Sequence, residues 1–184
     1  RIRKAVPDLP IGVNIVANAA KHSIAATEAF GGSFVRVNQW ANAYIANEGF
    51  VEGAAGVALR YRSMIGADDV HVKHGSHAIV ADRPISEQAT DVAFFDADAL
   101  IATGFRTGDP TRPEEINTIR EGSSLPVLIG SGINAENCQH LLRIADGAIL
   151  GVSVKKPHSM AAPTDPESLR IFMDKIFELR MELK

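Results

Sequence analysis

The chain has little of what marks secreted, membrane or nucleic-acid-binding proteins. Its one cysteine, Cys138, has no partner for an internal disulfide, which fits a reducing compartment. No apolar run approaches the roughly 18–20 residues that cross a bilayer, so no membrane span is predicted. The net charge of −3 includes no basic excess, which argues against nucleic acid as a partner. No secretory leader is recognisable, and we therefore expect a cytoplasmic protein.

Apolar residues, in contrast, are spread along the whole chain. Of its 184 residues, 46% are hydrophobic and 22% are charged, which is typical of a globular domain with a sizeable core. No linker, low-complexity tract or charge block divides the sequence. We therefore expect residues 1–184 to form one domain.

Short apolar runs alternate with helical patterns, and this alternation is typical of α/β folds with parallel strands. The predicted strands are 11–16, 34–38, 69–73, 99–103, 126–129 and 147–152. The predicted helices lie near 21–30, 54–65, 86–96, 113–120 and 135–144, and a final amphipathic helix opens at 165–167. Ser86 and Asn134 are the expected N-caps of two of them. A long connection through Gly53 follows the second strand.

Six such units fit either an open doubly wound sheet or part of an eight-stranded barrel. Two glycine motifs favour the barrel, because one follows the fifth strand and the other ends the sixth. In many barrels the loops after strands seven and eight hold a phosphate with backbone N–H groups. The sequence therefore predicts a (βα)8 TIM barrel, represented here by strands three to eight, with the first two strands missing from the chain. The predicted phosphate-binding residues are Gly130, Ser131, Gly132, Gly151 and Ser153.

One face of the predicted strands is repeatedly polar, while valines occupy the other. Successive side chains of a strand point to opposite faces, so the valines suit the helix layer and the polar residues point into the barrel. Burying polar groups is costly unless they are paired or bind a ligand. The inward residues are Asn14, Arg36, Asn38, Asp69, His71 and Lys73, with Thr103 as a further candidate at a strand end.

Several of these residues also have purely structural interpretations. Arg36 could pair with Asp69, and His71 could be a satisfied core histidine. Lys73 could be an anion clamp, a member of an ion pair, or a tuned base or Schiff-base nucleophile. Asp69 and His71 share a face and have metal-ligand side chains, but His74 lies on the other face, so no metal is predicted. Lys155 and Lys156 are either anion ligands or a solvated basic pair.

The chain resembles the BtpA/SgcQ family in segments that cover nearly its whole length in order. The matching segments are PIGVN (10–14), FVRVN (34–38), DVHVKH (69–74), ATG (102–104), TGDPT (107–111), VLIGSG (127–132) and GVSVKK (151–156), and the DVHVKH and GVNxxxN elements are the most specific. The resemblance implies a TIM barrel of the ribulose-phosphate-binding type. Family members are named for photosystem I biogenesis, accompany sugar-uptake systems, or carry a label borrowed from phosphoribosylanthranilate isomerase. The chain departs from the family pattern by lacking an N-terminal portion and by a shorter connection into Asp69.

Together these observations predict an enzyme that acts on a small phosphorylated substrate by isomerisation, epimerisation or aldol-type proton transfer. The alternative is a non-catalytic assembly factor that keeps the barrel and its anion site. No cofactor is predicted, and a homo-oligomer is compatible with the sequence. The predicted catalytic residues are Lys73, His71 and Asp69, and the predicted substrate-binding residues are Asn14, Arg36, Asn38, His74 and Thr103.

Overall fold

The computed structural model describes residues 2–46, 49–75, 83–104, 110–159 and 161–183. The strands are β1 (Gly12–Val13), β2 (Phe34–Val37), β3 (Ala43–Ala46), β4 (Gly49–Glu52), β5 (His71–Gly75), β6 (Ala99–Ala102), β7 (Val127–Ile129) and β8 (Gly147–Ala148). The helices are α1 (Ile2–Ala5), α2 (Ala20–Ala29), α3 (Ala55–Met64), α4 (Ile85–Phe94), α5 (Pro113–Gly122), α6 (Cys138–Leu141) and α7 (Pro166–Glu182).

Six of these strands form one parallel sheet in the order β1-β2-β5-β6-β7-β8. Consecutive units of the chain are therefore neighbours in the sheet, as in a TIM barrel rather than in a doubly wound fold, where the strand order reverses. The sheet has the form of a half-barrel, which confirms the predicted fold class. The carboxyl ends of its strands lie at one edge, where barrel sites are built.

The predicted alternation of the strands is visible in their burial. Val35 and Val72 are fully buried on the helix side of the sheet, and Val37 is nearly so. In β7, Val127 and Ile129 are likewise fully buried, whereas Leu128 between them is half-buried. The core therefore lies between the sheet and its helices, and the polar residues of β2 and β5 point to the other face.

The long connection after the second strand contains an antiparallel hairpin that the sequence did not predict. Its strands β3 and β4 have four residues each and are paired from Ala43↔Glu52 to Ala46↔Gly49. Trp40, which is fully buried, anchors the start of the hairpin because its Nε1 donates to the Phe95 carbonyl at 2.7 Å. The hairpin was missed because each strand is too short to show a recognisable alternation.

The predicted N-caps of two helices were also wrong. The helix α4 begins at Ile85 after Pro84, so Ser86 lies inside it rather than at the N-cap. Asn134 does not cap a helix directly; its Oδ1 accepts from the Glu136 and Asn137 N–H groups in a turn, and α6 begins only at Cys138. Asparagine forms such turns with its own backbone as readily as it caps helices. A short polar side chain therefore indicates the region in which a helix begins, but not the residue at which it begins.

The last strand is shorter than predicted. The strand β8 ends at Ala148, and Val152–Val154 form a 3₁₀ turn instead of continuing it. The ladder to β7 contains only the pairs Leu128↔Gly147 and Ile129↔Ala148. Gly151 and Ser153 consequently belong to a turn beyond the sheet. The start of α7 agrees with the sequence, since Asp165 is its N-cap and accepts from the Ser168 N–H at 2.9 Å.

Candidate functional site

Two residues with cationic side chains are neighbours on the face of the sheet opposite the helices. Arg36 of β2 and Lys73 of β5 are direct partners in the parallel register. No carboxylate among the described residues lies within ion-pair distance of either side chain. Because like charges on neighbouring strands repel each other, this pair needs an anion or the polarity of nearby groups to be stable.

Burial affects the charged group of Arg36. Its Nε is buried and has no hydrogen-bond partner in the described part of the chain. Burial lowers the pKa of the Arg36 guanidinium from its ordinary value, and the nearby Tyr44 hydroxyl of the hairpin acts in the opposite direction. An unsatisfied donor of a charged group is costly, and such groups mark sites that bind a ligand more often than surface positions do.

Lys73 is held by an aromatic ring. Its Nζ lies 4.6 Å from the centre of the Phe34 ring, within the range of a cation–π interaction. Phe34 belongs to β2, on the opposite side of β5 from β6. The ammonium therefore leans toward β1 and β2, away from the strands that carry the glycine motifs.

Asn14 and Asn38 meet at the carboxyl ends of β1 and β2, as predicted. The Asn14 Nδ2 donates to the Arg36 carbonyl at 2.9 Å and to the Asn38 Oδ1 at 3.2 Å. These bonds tie the loop after β1 to the end of β2, beside the Arg36 backbone. The Asn14 Nδ2 therefore already makes hydrogen bonds within the protein. These bonds give Asn14 a structural role between neighbouring strands.

Asn18 is a further residue of this end that sequence reasoning did not select. Its Oδ1 accepts from the Gln39 N–H at 2.7 Å, and its Nδ2 donates to the Glu52 carbonyl at 2.9 Å. One side chain therefore joins both ends of the segment that contains the hairpin. Asn18 has a φ of 60°, a conformation that asparagine tolerates better than most residues. The signal was present, because Asn18 is the second asparagine of GVNxxxN.

The structure does not bring His71 and Asp69 to this end of the sheet. His71 is the first residue of β5 and Asp69 lies in the turn before it, so His71 is about 13 Å from the carboxyl end of the strand at 3.3 Å per residue. The His71 Nδ1 lies 3.0 Å from the Asp98 Oδ1, and the His71 side chain is 62% exposed. His71 is therefore not a buried core histidine. Arg36 makes no ion pair with Asp69 either.

The first glycine motif is explained by packing. A Cβ on Gly130 would overlap the Ile101 side chain, and a Cβ on Gly132 would overlap the backbone of Pro110. Gly132 also has a φ of 69°, which favours glycine. The Gly130 N–H donates to the Ala102 carbonyl at 2.7 Å, so it is not directed to a ligand. The Ser131 carbonyl accepts from the Thr111 hydroxyl at 3.3 Å.

The second glycine motif is more open. Gly151 is exposed, and an added Cβ would meet nothing within 4 Å. Ser153 lies in the 3₁₀ turn that Gly151 precedes, and the first N–H groups of such a turn have no partner inside it. Beyond the turn, the Lys156 Nζ lies 3.0 Å from the Asp165 carboxylate, and Lys155 forms a bridge to Thr164. Lys156 is thus a member of a structural ion pair.

Thr103 lies at the carboxyl end of β6, as predicted, and is nearly buried. Its N–H and that of Gly104 donate to the Glu115 Oε1 at 3.2 and 3.3 Å. Glu115, in the first turn of α5, is therefore a carboxylate at the site edge that sequence reasoning missed. The only sequence signal for Glu115 was its position among the acidic residues that follow Pro113. The backbone of His74 lies in β5, and its side chain is outside the described residues, as is Asp109.

Two negative findings concern the described residues alone. Within them, no three His, Cys, Asp or Glu side chains are close enough together to hold a metal ion. None of the helices in the same part of the chain has the length and apolar character needed to cross a membrane.

The sequence model of the BtpA family matches residues 1–178. The chain belongs to the BtpA family. It is 36% identical over 150 residues to an uncharacterised mitochondrial protein of Caenorhabditis elegans, which covers 78% of this chain and 54% of that protein. It is 30% identical over 181 residues to the photosystem I biogenesis protein BtpA of Synechocystis, covering 92% of this chain and 61% of the relative. The chain thus spans about half to two-thirds of the length of the curated relatives it matches.

Solved structures support the same architecture. The structure of N-(5′-phosphoribosyl)anthranilate isomerase from Pyrococcus furiosus is similar with a TM-score of 0.59 and 14% sequence identity, over 96% of this chain and 78% of that one. At this identity the similarity establishes the fold and not the activity. This chain therefore shares the TIM-barrel architecture of an enzyme whose name includes a phosphorylated sugar.

Proposed function

We propose that this chain binds a small phosphorylated molecule at the carboxyl ends of its strands and that it acts on it as an isomerase or lyase. The observation that carries the proposal is the pair Arg36 and Lys73, in register on the helix-free face with no described counter-ion. A protein gains nothing in stability from such a pair, because half-buried charges without partners are costly. An anionic ligand supplies the missing negative charge.

In this proposal the phosphate binds at the open turn of Gly151 and Ser153, with the 130–132 turn beside it. The first N–H groups of a helical turn are suited to an anion, and barrels commonly bind phosphate in the loops after their last two strands. The packing constraints on Gly130 and Gly132 do not conflict with this role, since a tight turn also brings its backbone close to a ligand.

Lys73 is the group that we expect to take part in the chemistry. An ammonium beside a substrate carbonyl stabilises the negative charge that develops on oxygen during isomerisation or aldol cleavage. His71 is paired with Asp98 and largely exposed, and Asp69 lies in the turn before β5, so neither is part of this mechanism. The hydrogen bonds of Asn14, Asn38 and Asn18 hold the loops of the site together. Thr103 and Glu115 lie at its edge, between the two halves of the sheet.

A second candidate is a non-catalytic assembly factor that uses the same anion site. The name of the Synechocystis relative supports it, because that protein is described as a photosystem I biogenesis protein. The position of His71 also supports an assembly factor. Because His71 is paired with Asp98, none of the predicted catalytic residues acts as a general acid or base beside Lys73. The two candidates share the ligand and differ in turnover.

Thermal unfolding in the presence of ligands tests the proposal. We expect inorganic phosphate, ribulose 5-phosphate and sorbitol 6-phosphate to raise the melting temperature, while ribulose and sorbitol do not. A ligand at 100 times its Kd adds about 2.7 kcal/mol to the free energy of unfolding. If no phosphorylated probe shifts the melting temperature, the proposal is wrong. Once a ligand is known, turnover separates the candidates: an assembly factor leaves the ligand unchanged, whereas in an enzyme Lys73→Met should lose turnover because it removes the charge that stabilises the developing oxyanion.

A further inference from the structure

The β3–β4 hairpin has a narrow base. Its two strands form a sheet of their own, and neither pairs with the six-stranded sheet. The base is closed by the Gly53 N–H, which donates to the Asn42 carbonyl at 2.7 Å. Asn18 and Arg83 hold it from two sides, through bonds to the Glu52 carbonyl at 2.9 Å and to the Asn42 Oδ1 at 3.3 Å. A two-stranded hairpin alone is at best marginally stable, so this one depends on its contacts with the rest of the protein.

The two faces of the hairpin differ in exposure. Tyr44 and Val51, the inner pair, are direct partners in the ladder and are 2% and 9% exposed. Ile45 and Phe50, the outer pair, are the next partners and are 69% and 60% exposed. Both faces of a free hairpin are open to solvent, so residues outside the hairpin must cover the inner pair. The hairpin therefore lies with its inner face against the rest of the protein.

The inner pair does not pack into the core between the sheet and its helices. Trp40, just before the hairpin, belongs to that core, whereas Tyr44 and Val51 do not. Ala99 and Ile101, which are buried on the helix-free face of the sheet, are outside that core as well. The inner pair thus resembles the buried residues of the helix-free face and not those of the helix layer.

Arg36 lies beside the inner pair. The Tyr44 hydroxyl is close enough to the Arg36 guanidinium to act on its pKa. The Arg36 Nε is shielded from solvent although Arg36 points to the face of the sheet without helices. Together with the burial of Tyr44, this places the inner face of the hairpin over Arg36.

We propose that the β3–β4 hairpin is a lid over Arg36, which is hinged at Asn42 and Gly53 and is held closed by Asn18 and by the inner pair. A covered donor does not meet a ligand from solvent, so a ligand reaches it only when the lid opens. Closure after binding excludes water and strengthens the charged contact, because the local dielectric falls. The inference rests on the proposed function for its ligand, but the lid itself is testable without one.

Chemical modification of arginine tests the lid in the absence of ligand. Phenylglyoxal reacts with accessible guanidinium groups, and mass spectrometry of peptides gives the rate at each arginine. Arg60 is exposed and serves as the reference within the same chain. We expect Arg36 to react at least about tenfold more slowly than Arg60, because its reaction must wait for local opening. Equal rates in the folded wild type would refute the lid.

The two faces of the hairpin supply matched variants. Tyr44→Ala and Val51→Ala weaken the closed state and should raise the rate at Arg36 by about fivefold or more, since truncating buried side chains lowers the free energy of opening. Ile45→Ala and Phe50→Ala, on the outer face, should leave the rate unchanged. Val51→Ala keeps the test available if Tyr44→Ala does not fold. Equal effects on the two faces would refute a lid that is held by the inner pair.

Asn18→Ala should also raise the rate at Arg36, because it releases the Glu52 carbonyl at the base of the hairpin. Ile116→Ala is the control for overall stability, since Ile116 is fully buried in α5; Ile116→Val replaces it if it does not fold. Under conditions in which both proteins are folded, the Ile116 variant should leave the rate unchanged. If it raises the rate as much as Asn18→Ala does, Arg36 reacts through global unfolding and the lid is refuted.

A bound ligand should close the lid. Inorganic phosphate and ribulose 5-phosphate should slow both the modification of Arg36 and the amide exchange of β3 and β4 severalfold. If neither probe binds by calorimetry, the proposed function is wrong, while the modification rates of the variants still decide on the lid. If a probe binds and the exchange of the hairpin is unchanged, the lid does not close over the ligand and the inference fails.

Discussion

The two halves of the sheet differ in what covers their helix-free face. On the β1–β2–β5 side this face carries Arg36 and Lys73, which have no described ion-pair partner. On the β6–β7–β8 side it carries Ala99 and Ile101, which are almost fully buried, and Leu128, which is half-buried. In the proposed function, the charged half supplies the side chains that bind and polarise the ligand, and the apolar half supplies the turns that bind its phosphate.

A similar contrast separates polar groups that bond within the protein from the buried donor of Arg36, which does not. Asn14 looks like a ligand-binding amide in the sequence, yet its Nδ2 donates to a backbone carbonyl of the protein, as the Nδ2 of Asn18 does. Gly132 looks like a phosphate ligand, yet Pro110 occupies the space of its missing side chain. Arg36, in contrast, has a buried donor with no partner among the described residues.

The largest effect on stability is expected from Gly132→Ala. The new Cβ would overlap the Pro110 backbone, and alanine is strained at a φ of 69°. We expect the free energy of unfolding in urea to fall by about 2–4 kcal/mol. Gly56→Ala, the same chemical change inside α3, meets only the tip of the Arg60 side chain and should raise it by about 0.5–1 kcal/mol. Equal effects of the two changes would show that the 130–132 turn is not constrained by packing.

A smaller effect is expected from Asn18→Ala. This change removes two hydrogen bonds to the hairpin segment and leaves alanine at a φ of 60°. We expect a loss of about 1–3 kcal/mol in urea unfolding. Asn14→Ala, at an exposed position, should lose less than about 1 kcal/mol. Asn18→Asp keeps the acceptor for Gln39 and should fall between them.

If Asn14→Ala were the more costly of the two, the hairpin would not depend on Asn18, and the first asparagine of GVNxxxN would be the structural one. Amide exchange of the Gln39 N–H, measured in both variants, shows directly which side chain holds the segment.

Arg36→Met should have the opposite sign from these changes in the absence of ligand. A half-buried guanidinium without a counter-ion is costly, and methionine fills similar space without charge. We therefore expect the free energy of unfolding to remain the same or to rise by about 1 kcal/mol. The rise in melting temperature caused by phosphorylated ligands should be smaller in the same variant. A clear loss of stability in Arg36→Met would indicate a structural role instead.

The architecture was predictable because it depends on repeated local signals. Six apolar runs separated by helical patterns gave the parallel order, and Val35 with Val72 gave the buried face. What remained unpredictable depends on contacts between distant residues. The pairing of His71 with Asp98 and the place of Glu115 beside Thr103 are set by strand register and by helix packing, which no local pattern specifies.

The placement of the candidate site residues was predicted only in part, because the bounds of one strand differ from the predicted ones. The segment 69–73 reads as one strand, but β5 runs from His71 to Gly75, so the predicted active-site histidine lies at the wrong end. A shift of two residues keeps each side chain on its face and moves it by about 7 Å along the strand. The alternation of apolar and polar residues thus determines on which face of the sheet a side chain lies. Its position along the strand is known only from the structure.

The smallest effect concerns Asp165, at the start of the helix that follows the apolar half. Hydrogen bonds from the Ser168 hydroxyl and from Lys156 lower the pKa of the Asp165 carboxyl from 3.8 to about 2. Because the folded state has the lower pKa, the stabilisation is fully present above about pH 4 and is lost as the pH falls toward 2. Asp165→Asn keeps an acceptor for the Ser168 N–H but does not titrate. The difference in melting temperature between the wild type and this variant should therefore narrow from pH 5 to pH 2.5. A constant difference over that range would mean that the Asp165 charge does not contribute to the start of α7.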